Sequence, residues 1–594
     1  MKWLASLTIR LILITKQEKK IHKHMRMKSI LLTGVFVVMC LFGYTQEERD
    51  LKKEVKVRTN FKPKIKKAKR IGEMPNVTDT LSLKKQFDYS IRSKSLNVNF
   101  KPGSIKAAKM TSAPLTKVHG HSLDLAAGNY ATLFADYRYN NLKSKETDFG
   151  LHLQYYSSNG KLKLDNGDKV KPDWNEFLAE IHGNHYLADA KISSRIFFKH
   201  KSFNYYGSPL STDIIGDNNI FDYNNQRYNH VGLETSYETL NKDTKDLNYK
   251  LGVELEYFTD KYNVSEIDLG VNGLAELKAG DGSWTLESSL NFIQTNNLVY
   301  WSSGLRDRDV NSTLWVVNPS YNLTVGNFNM KLGVKAQSVI GNDSEFKLYP
   351  DVKFNLVLVD QVLDMFAGLD GNLDLNTMRS ISNSNPFAHS GLDVANTSTN
   401  YRIYSGLKTR ISSKSNALLS VEYASIDDQY FFSMANVAVS PLGELPIQTH
   451  YSNKYAVVYG DLSKLSFTGE VDLQVNKELN LYGLAKYTHY SLDGLEEAWD
   501  MPNFEMETKA TYRFTDQWLF NAHLLFVGER KVMTNGDIAI LDALADFGLG
   551  AEYKWNDILS AYANMNNIFD AESYLWHGYP SQGINGMIGL KLVF

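Results

Sequence analysis

The chain has 594 residues, with 65 Lys+Arg against 66 Asp+Glu and a net charge of −1. Its one cysteine, Cys40, lies in an apolar run near the start; with that run removed, disulfides and cysteine-ligated zinc are excluded. Abundant Tyr (34) and Phe (29) beside only 13 Pro favour long strands.

The first element is "MRMKSILLTGVFVVMCLFGYTQ". It has a basic start (Arg26, Lys28), an apolar run from Ile30 to Phe42, and Gly43-Tyr44-Thr45 before Gln46. That is the pattern of a secretory signal peptide, too short for a spanning helix. Residues 1–45 are therefore read as a leader cleaved near Gln46, with the natural start at Met25 or Met27.

Residues 46–116 form a basic tail with a repeated element. "NFKPKIKKAKRIGEMP" begins at Asn60 and "NFKPGSIKAAKMTSAP" at Asn99. The tail holds 18 basic and 7 acidic residues, and residues 1–45 hold 8 and 1. Taken from the totals of 65 and 66, this leaves 39 basic and 58 acidic residues in 117–594, a charge of −19. Three readings compete for the tail: a solvated periplasmic linker, a segment docked in the mouth of the acidic domain that follows, or a recruitment tag for a periplasmic protein or the cell wall. The repeats favour docking. Phe61 and Phe100 would be the apolar anchors, and Lys64, Lys66, Lys67, Lys106 and Lys109 would supply charge. Nucleic acid is not expected as a partner, because the leader directs the chain out of the cell.

From about residue 119 onward the pattern has period two. In "LNYKLGVELEY" (247–257), Leu251, Val253 and Leu255 share one face, and Glu254 and Glu256 the other. "ATLFADYRY" (131–139), the stretch around Met506 to Phe514, and "FGLGAEYKW" (547–555) alternate likewise. These segments exceed the usual soluble strand of about five or six residues and suit a tilted transmembrane strand of roughly nine to eleven. Short polar turns ("NKDTKD", "KAGDGS", "TVGNFN", "LVDQV", "SSKSN", "VNKEL", "FTDQW", "KWNDI") are interleaved with long irregular connections such as 378–400 and 217–226. The expected fold is an all-β transmembrane antiparallel barrel of about 22 strands, within 18–24, over 117–594. The chain ends "GMIGLKLVF", where Ile588, Leu590, Leu592 and Phe594 alternate as a strand with an aromatic terminus. This resembles the insertion signal read by the barrel-assembly machinery of bacterial outer membranes.

"YRFTDQWLFNAHLLFVGERK", "NNIFD" and "YLWHGYP" resemble the last strands of TonB-dependent receptor barrels. "IKAAKM", followed by "AAGNYATLFADYRYNNLKSKETDFGLHLQYYSSNGKLK", is similar to a plug-less Bacteroidota subfamily of such barrels. The resemblance spans most of 99–594. It implies a bacterial outer-membrane location, lipid as a partner, and a passive or gated channel. The alternative is a non-transporting scaffold in an assembly or secretion complex. No catalytic constellation or nucleotide fingerprint occurs, so no enzyme and no cofactor are expected. His119/His121 and His182/His185 are loose pairs without adjacent acidic sets, and no metal is expected there.

Overall fold

The computed structural model describes residues 119–594 apart from 142–145, 165–166, 208–224, 241–246, 302–303, 342–343, 435, 440–447, 452 and 535–536. The leader and the tail, with Phe61, Lys64, Lys66, Lys67, Phe100, Lys106 and Lys109, lie outside the described residues.

Twenty-two strands form one antiparallel sheet, from His121–Gly128 to Asn585–Val593. Each barrel strand pairs with the next along the chain, and the sheet closes because the first pairs with the last, Leu125 opposite Leu590. Closure matters physically, since it leaves no unpaired edge for hydrocarbon to desolvate. Among the described residues no helix is long and apolar enough to cross a membrane; the strands serve that purpose.

Side-chain alternation sets the two surfaces. Leu251, Val253, Leu255 and Tyr257 are exposed outward, as are Ile267, Leu269 and Val271 on the paired strand Ser265–Ala279. Glu254 and Glu256 face the lumen, where they meet Asn291 and His230. An outer face of Leu, Val and Ile is stable only against lipid, and a one-residue slip would carry those carboxylates into it. Aromatic rings gather at the short-turn end, with Trp284 against Tyr321 and Trp518 against Tyr553. This is the girdle expected at a membrane interface.

The seven short turns named from the sequence that fall among the described residues lie at one end of the barrel, and NKDTKD (241–246) lies outside the described residues. Two of them turn on a glycine at positive φ, Gly280 (64°) and Gly326 (57°), which lets two residues reverse the chain. Among the described residues the long connections lie at the other end, where four two-stranded hairpins decorate them, among them Asn436–Val439 with Gln448–Tyr451 and Arg530–Thr534 with Asp537–Leu541, while 217–224 lies outside the described residues. One expectation is corrected here. The connection 378–400 is not an irregular outer loop: it contains the helix Met378–Ser384, and its last residues already belong to the strand Thr397–Ser412.

Candidate functional site

The inner wall is acidic where strands Asn225–Thr239, Asn248–Thr259 and Ser265–Ala279 meet. The register sets Glu234 opposite Glu254, and Glu256 opposite Asp268. Like charges directly opposed on a sheet face repel. Gly270 makes the crowding possible, because a Cβ there would lie 2.3 Å from Glu254 Oε1. The Glu234 carboxylate is met by a neighbour on the wall, Arg195, at 2.8 Å. Glu256 and Asp268 are met instead by a loop.

That loop is 375–396, and it turns into the lumen. Thr377 caps its helix: the Thr377 hydroxyl accepts from the Ser380 N–H at 3.1 Å, and the Thr377 N–H donates to Ser380 Oγ at 2.8 Å. A second cap comes from the wall. Glu266, only 2% exposed, accepts from the backbone N–H groups of Met378 and Arg379, the latter at 3.0 Å. A carboxylate here meets unsatisfied N–H groups and the positive end of the helix dipole. The Arg379 guanidinium then pairs with Glu256, lies 3.0 Å from Asp268 Oδ2, and lies 3.3 Å from His230 Nε2. Asn385 closes the helix by donating to the Ile381 carbonyl at 2.8 Å, and Pro386 prevents continuation.

Beyond the helix the loop is clamped by aromatic packing. Phe387 stacks on Tyr579 with ring centroids 3.6 Å apart and meets Phe203 edge-on at 5.5 Å. Met378, Ile381, Phe387 and Leu392 share one buried cluster with the inward-facing Phe203, Tyr228 and Phe258. Backbone hydrogen bonds tie it to the 434–455 connection: His389 N–H to the Tyr455 carbonyl at 2.8 Å, and Tyr455 N–H to the Phe387 carbonyl at 3.0 Å. The Tyr579 hydroxyl donates to the Asn453 carbonyl at 2.6 Å, which adds the 567–584 connection. A buried pair, Arg530 and Asp500 at 2.9 Å, joins two more, and Arg530 also donates to the Tyr574 and Leu575 carbonyls. The long-loop end is thus an interlocked closure with parts from at least five connections.

Several titratable groups in these loops are displaced from their ordinary values. Burial pushes His389 down to about 3, helped by the nearby Lys454 ammonium. Burial likewise lowers Lys454 to about 8, with the Asp260 carboxylate opposing. Its ammonium lies 4.3 Å above the Tyr205 ring and 4.7 Å above Tyr262, a cation–π setting that partly replaces water. Burial raises Asp500 to about 7 against the pull of Arg530, and it raises Asp260 against hydrogen bonds from Ser390, Val264, Tyr262 and Gln226.

Solved structures share this fold. The siderophore receptor PirA from Acinetobacter baumannii matches with a TM-score of 0.61 at 12% identity, covering 81% of each chain. The FrpB iron transporter from Neisseria meningitidis gives 0.61 at 10% identity, over 81% of this chain and 82% of that one. The copper transporter OprC gives 0.58 at 12%, over 80% of each. This chain has the receptor-barrel fold. At such identities the likeness is one of fold. No family model and no curated protein matches the sequence.

The sequence-named insertion residues fall where the receptor-type barrel seals. Ile588, Leu590 and Phe594 are exposed outward, and Leu592 shares their face. Phe594 stacks on His121 at 5.0 Å with 7° between the ring planes, and the two residues exchange backbone hydrogen bonds of 2.9 Å. His121 Nδ1 also lies 2.9 Å from the Tyr137 hydroxyl, and His182 lies 3.3 Å from Glu180. Among the described residues no three His, Cys, Asp or Glu side chains gather as a metal site. Sequence reasoning missed Glu266, Asp268, Arg379 and Phe387. A signal existed for the helix: Thr377 and Ser380 three apart, then Asn385-Pro386 as a stop.

Proposed function

We propose that the protein is a gated channel of the receptor-barrel type in a bacterial outer membrane, and that loop 375–396 is its gate. The observation that carries this reading is the seating of Arg379 on the inner-wall carboxylates while Glu266 caps its helix. A loop serving only the outer surface would have no use for either contact. A channel without a gate would not place an aromatic closure across its lumen. Catalysis has no part in this reading. In this reading the basic tail, opposite in charge to the acidic 117–594 region, either docks in the barrel interior or on its periplasmic rim, or recruits a periplasmic partner.

Planar-bilayer recording tests the gate. The wild-type protein should be nearly silent, and replacing 378–392 by a Gly/Ser linker should give steady pores. Steady pores from both would remove the gate. Silence from both, with partners retained in pull-downs, would favour the scaffold. Deleting 50–115 separately tests the tail. Loss of a partner without a change in conductance would make it a recruitment tag.

A further inference from the structure

We infer that the opposed Glu256–Asp268 pair is a binding site for a guanidinium-bearing ligand, and that Arg379 fills it in the closed barrel as a tethered stand-in. This deepens the reading of 375–396 as a gate and rests on it.

Three observations converge. The two carboxylates are register partners on the inner face, so they repel unless a cation lies between them. The cation present is not part of the wall: it arrives on a loop whose other holds, the Glu266 cap and the Phe387 stack, do not depend on it. Asp268 is about nine-tenths buried, and its Oδ1 has no hydrogen-bond partner, so acceptor capacity at the site is unused. An unmet carboxylate oxygen in a buried setting is costly, and a ligand with more N–H donors than one arginine would satisfy it.

The chemistry favours guanidinium over ammonium. Its planar fork presents five N–H groups and can span two carboxylates, where a lysine ammonium acts as a point charge. Glu254, two residues before Glu256 on the same face, adds negative field. The site is partly open to solvent at Arg379, whose side chain is 21% exposed. A polar cleft lined by His182, Asn184, Arg195, Glu234, Lys250 and Glu254 runs along the same wall and is shared with the site only through Glu254. A ligand entering there trades one guanidinium contact for another. The helix loses its side-chain anchor, and the gate is biased toward opening. Because Arg379 is tethered, it competes at high effective concentration, so the wild-type protein should bind free ligand weakly.

The test is calorimetry with tri-arginine amide on the full-length protein. Arg379→Ala and Arg379→Gln should each bind it at least tenfold more tightly than wild type. Adding Glu256→Gln and Asp268→Asn to either should remove that gain, and tri-lysine amide should bind more weakly throughout. Far-UV circular dichroism reports whether each barrel is folded. Should the triple variants fail to fold, Asp268→Asn with Arg379→Gln supplies the comparison. If neither Arg379 variant binds more tightly than wild type, or if the gain survives loss of both carboxylates, the inference is wrong. Binding is read without conductance. A site confirmed by calorimetry in a protein whose conductance ignores the 378–392 replacement would therefore fail the gate alone.

Discussion

Replacing Glu266 with Gln keeps the shape of the side chain and removes its charge. In the structure both Glu266 oxygens accept helix N–H groups, from Met378 and from Arg379. The amide can satisfy one of them, and its NH2 then faces the other. Losing a hydrogen bond to a charged acceptor costs about 1.5–3 kcal/mol. Losing negative charge at a helix start costs about 0.3–1 kcal/mol more. Relief from burying a carboxylate works in the opposite sense, since Glu266 is 2% exposed. A net weakening of the loop's seating on the wall by about 2 kcal/mol is expected, or ~30-fold in the ratio of released to seated loop. Ser382 reports that ratio: it lies in the same helix, is 3% exposed, and can be labelled as a cysteine only when the loop leaves the wall. In a Cys40→Ser background the new thiol is unique. With closing fast relative to labelling, the rate tracks the open population, so Glu266→Gln should label ~30-fold faster. A change under about threefold, with the barrel intact, would refute the role given to Glu266.

Phe387→Ala removes the ring stacked on Tyr579, at a cost of about 3–5 kcal/mol to the closed loop. Labelling at position 382 should accelerate even more than with Glu266→Gln, while the barrel keeps its thermal midpoint. His389 predicts a pH dependence. An opened loop takes up a proton near the ordinary histidine value, whereas the closed form resists until about 3. Closure is therefore fully supported above that ordinary value and weakens as pH falls toward 3, by about 2 kcal/mol at pH 5. Asp260 and Asp500, both raised by burial, favour closure on acidification, so the comparison must be with His389→Gln. Labelling should speed up more between pH 7 and pH 5 in wild type than in that variant, and matching profiles would contradict the argument. Spin labels at Val253 and Glu254 should report lipid and water respectively, and one environment at both would overturn the assigned register.

The barrel was legible because its two solvents are so different. Alternation at Leu251, Val253, Leu255 against Glu254 and Glu256 has no other stable home, and closure follows from the need to pair every edge. The strand count followed from the turns, since two-residue reversals such as Gly280-Asp281 carry a local conformational demand visible in the letters. The pairing of Phe594 with His121 was only half visible. The aromatic terminus stood out, but its partner lies 473 positions away in the sequence and is fixed by closure of the sheet.

The inward-turned loop 375–396 was hidden for a related reason. A polar segment rich in Ser and Asn reads the same whether it meets bulk water or a water-filled lumen, because both satisfy its backbone. What differs is the apolar content. Met378 and Ile381 stand three apart on one turn of helix, and Phe387 and Leu392 follow, all of them buried. A loop wholly in bulk water would gain nothing from that pattern. The position of Arg379 beside it carries the rest of the argument. A cation flanked by apolar residues in a loop must find its counter-charge on whatever surface buries those residues. In an acidic barrel that surface is the inner wall, where Glu256 and Asp268 already repel each other.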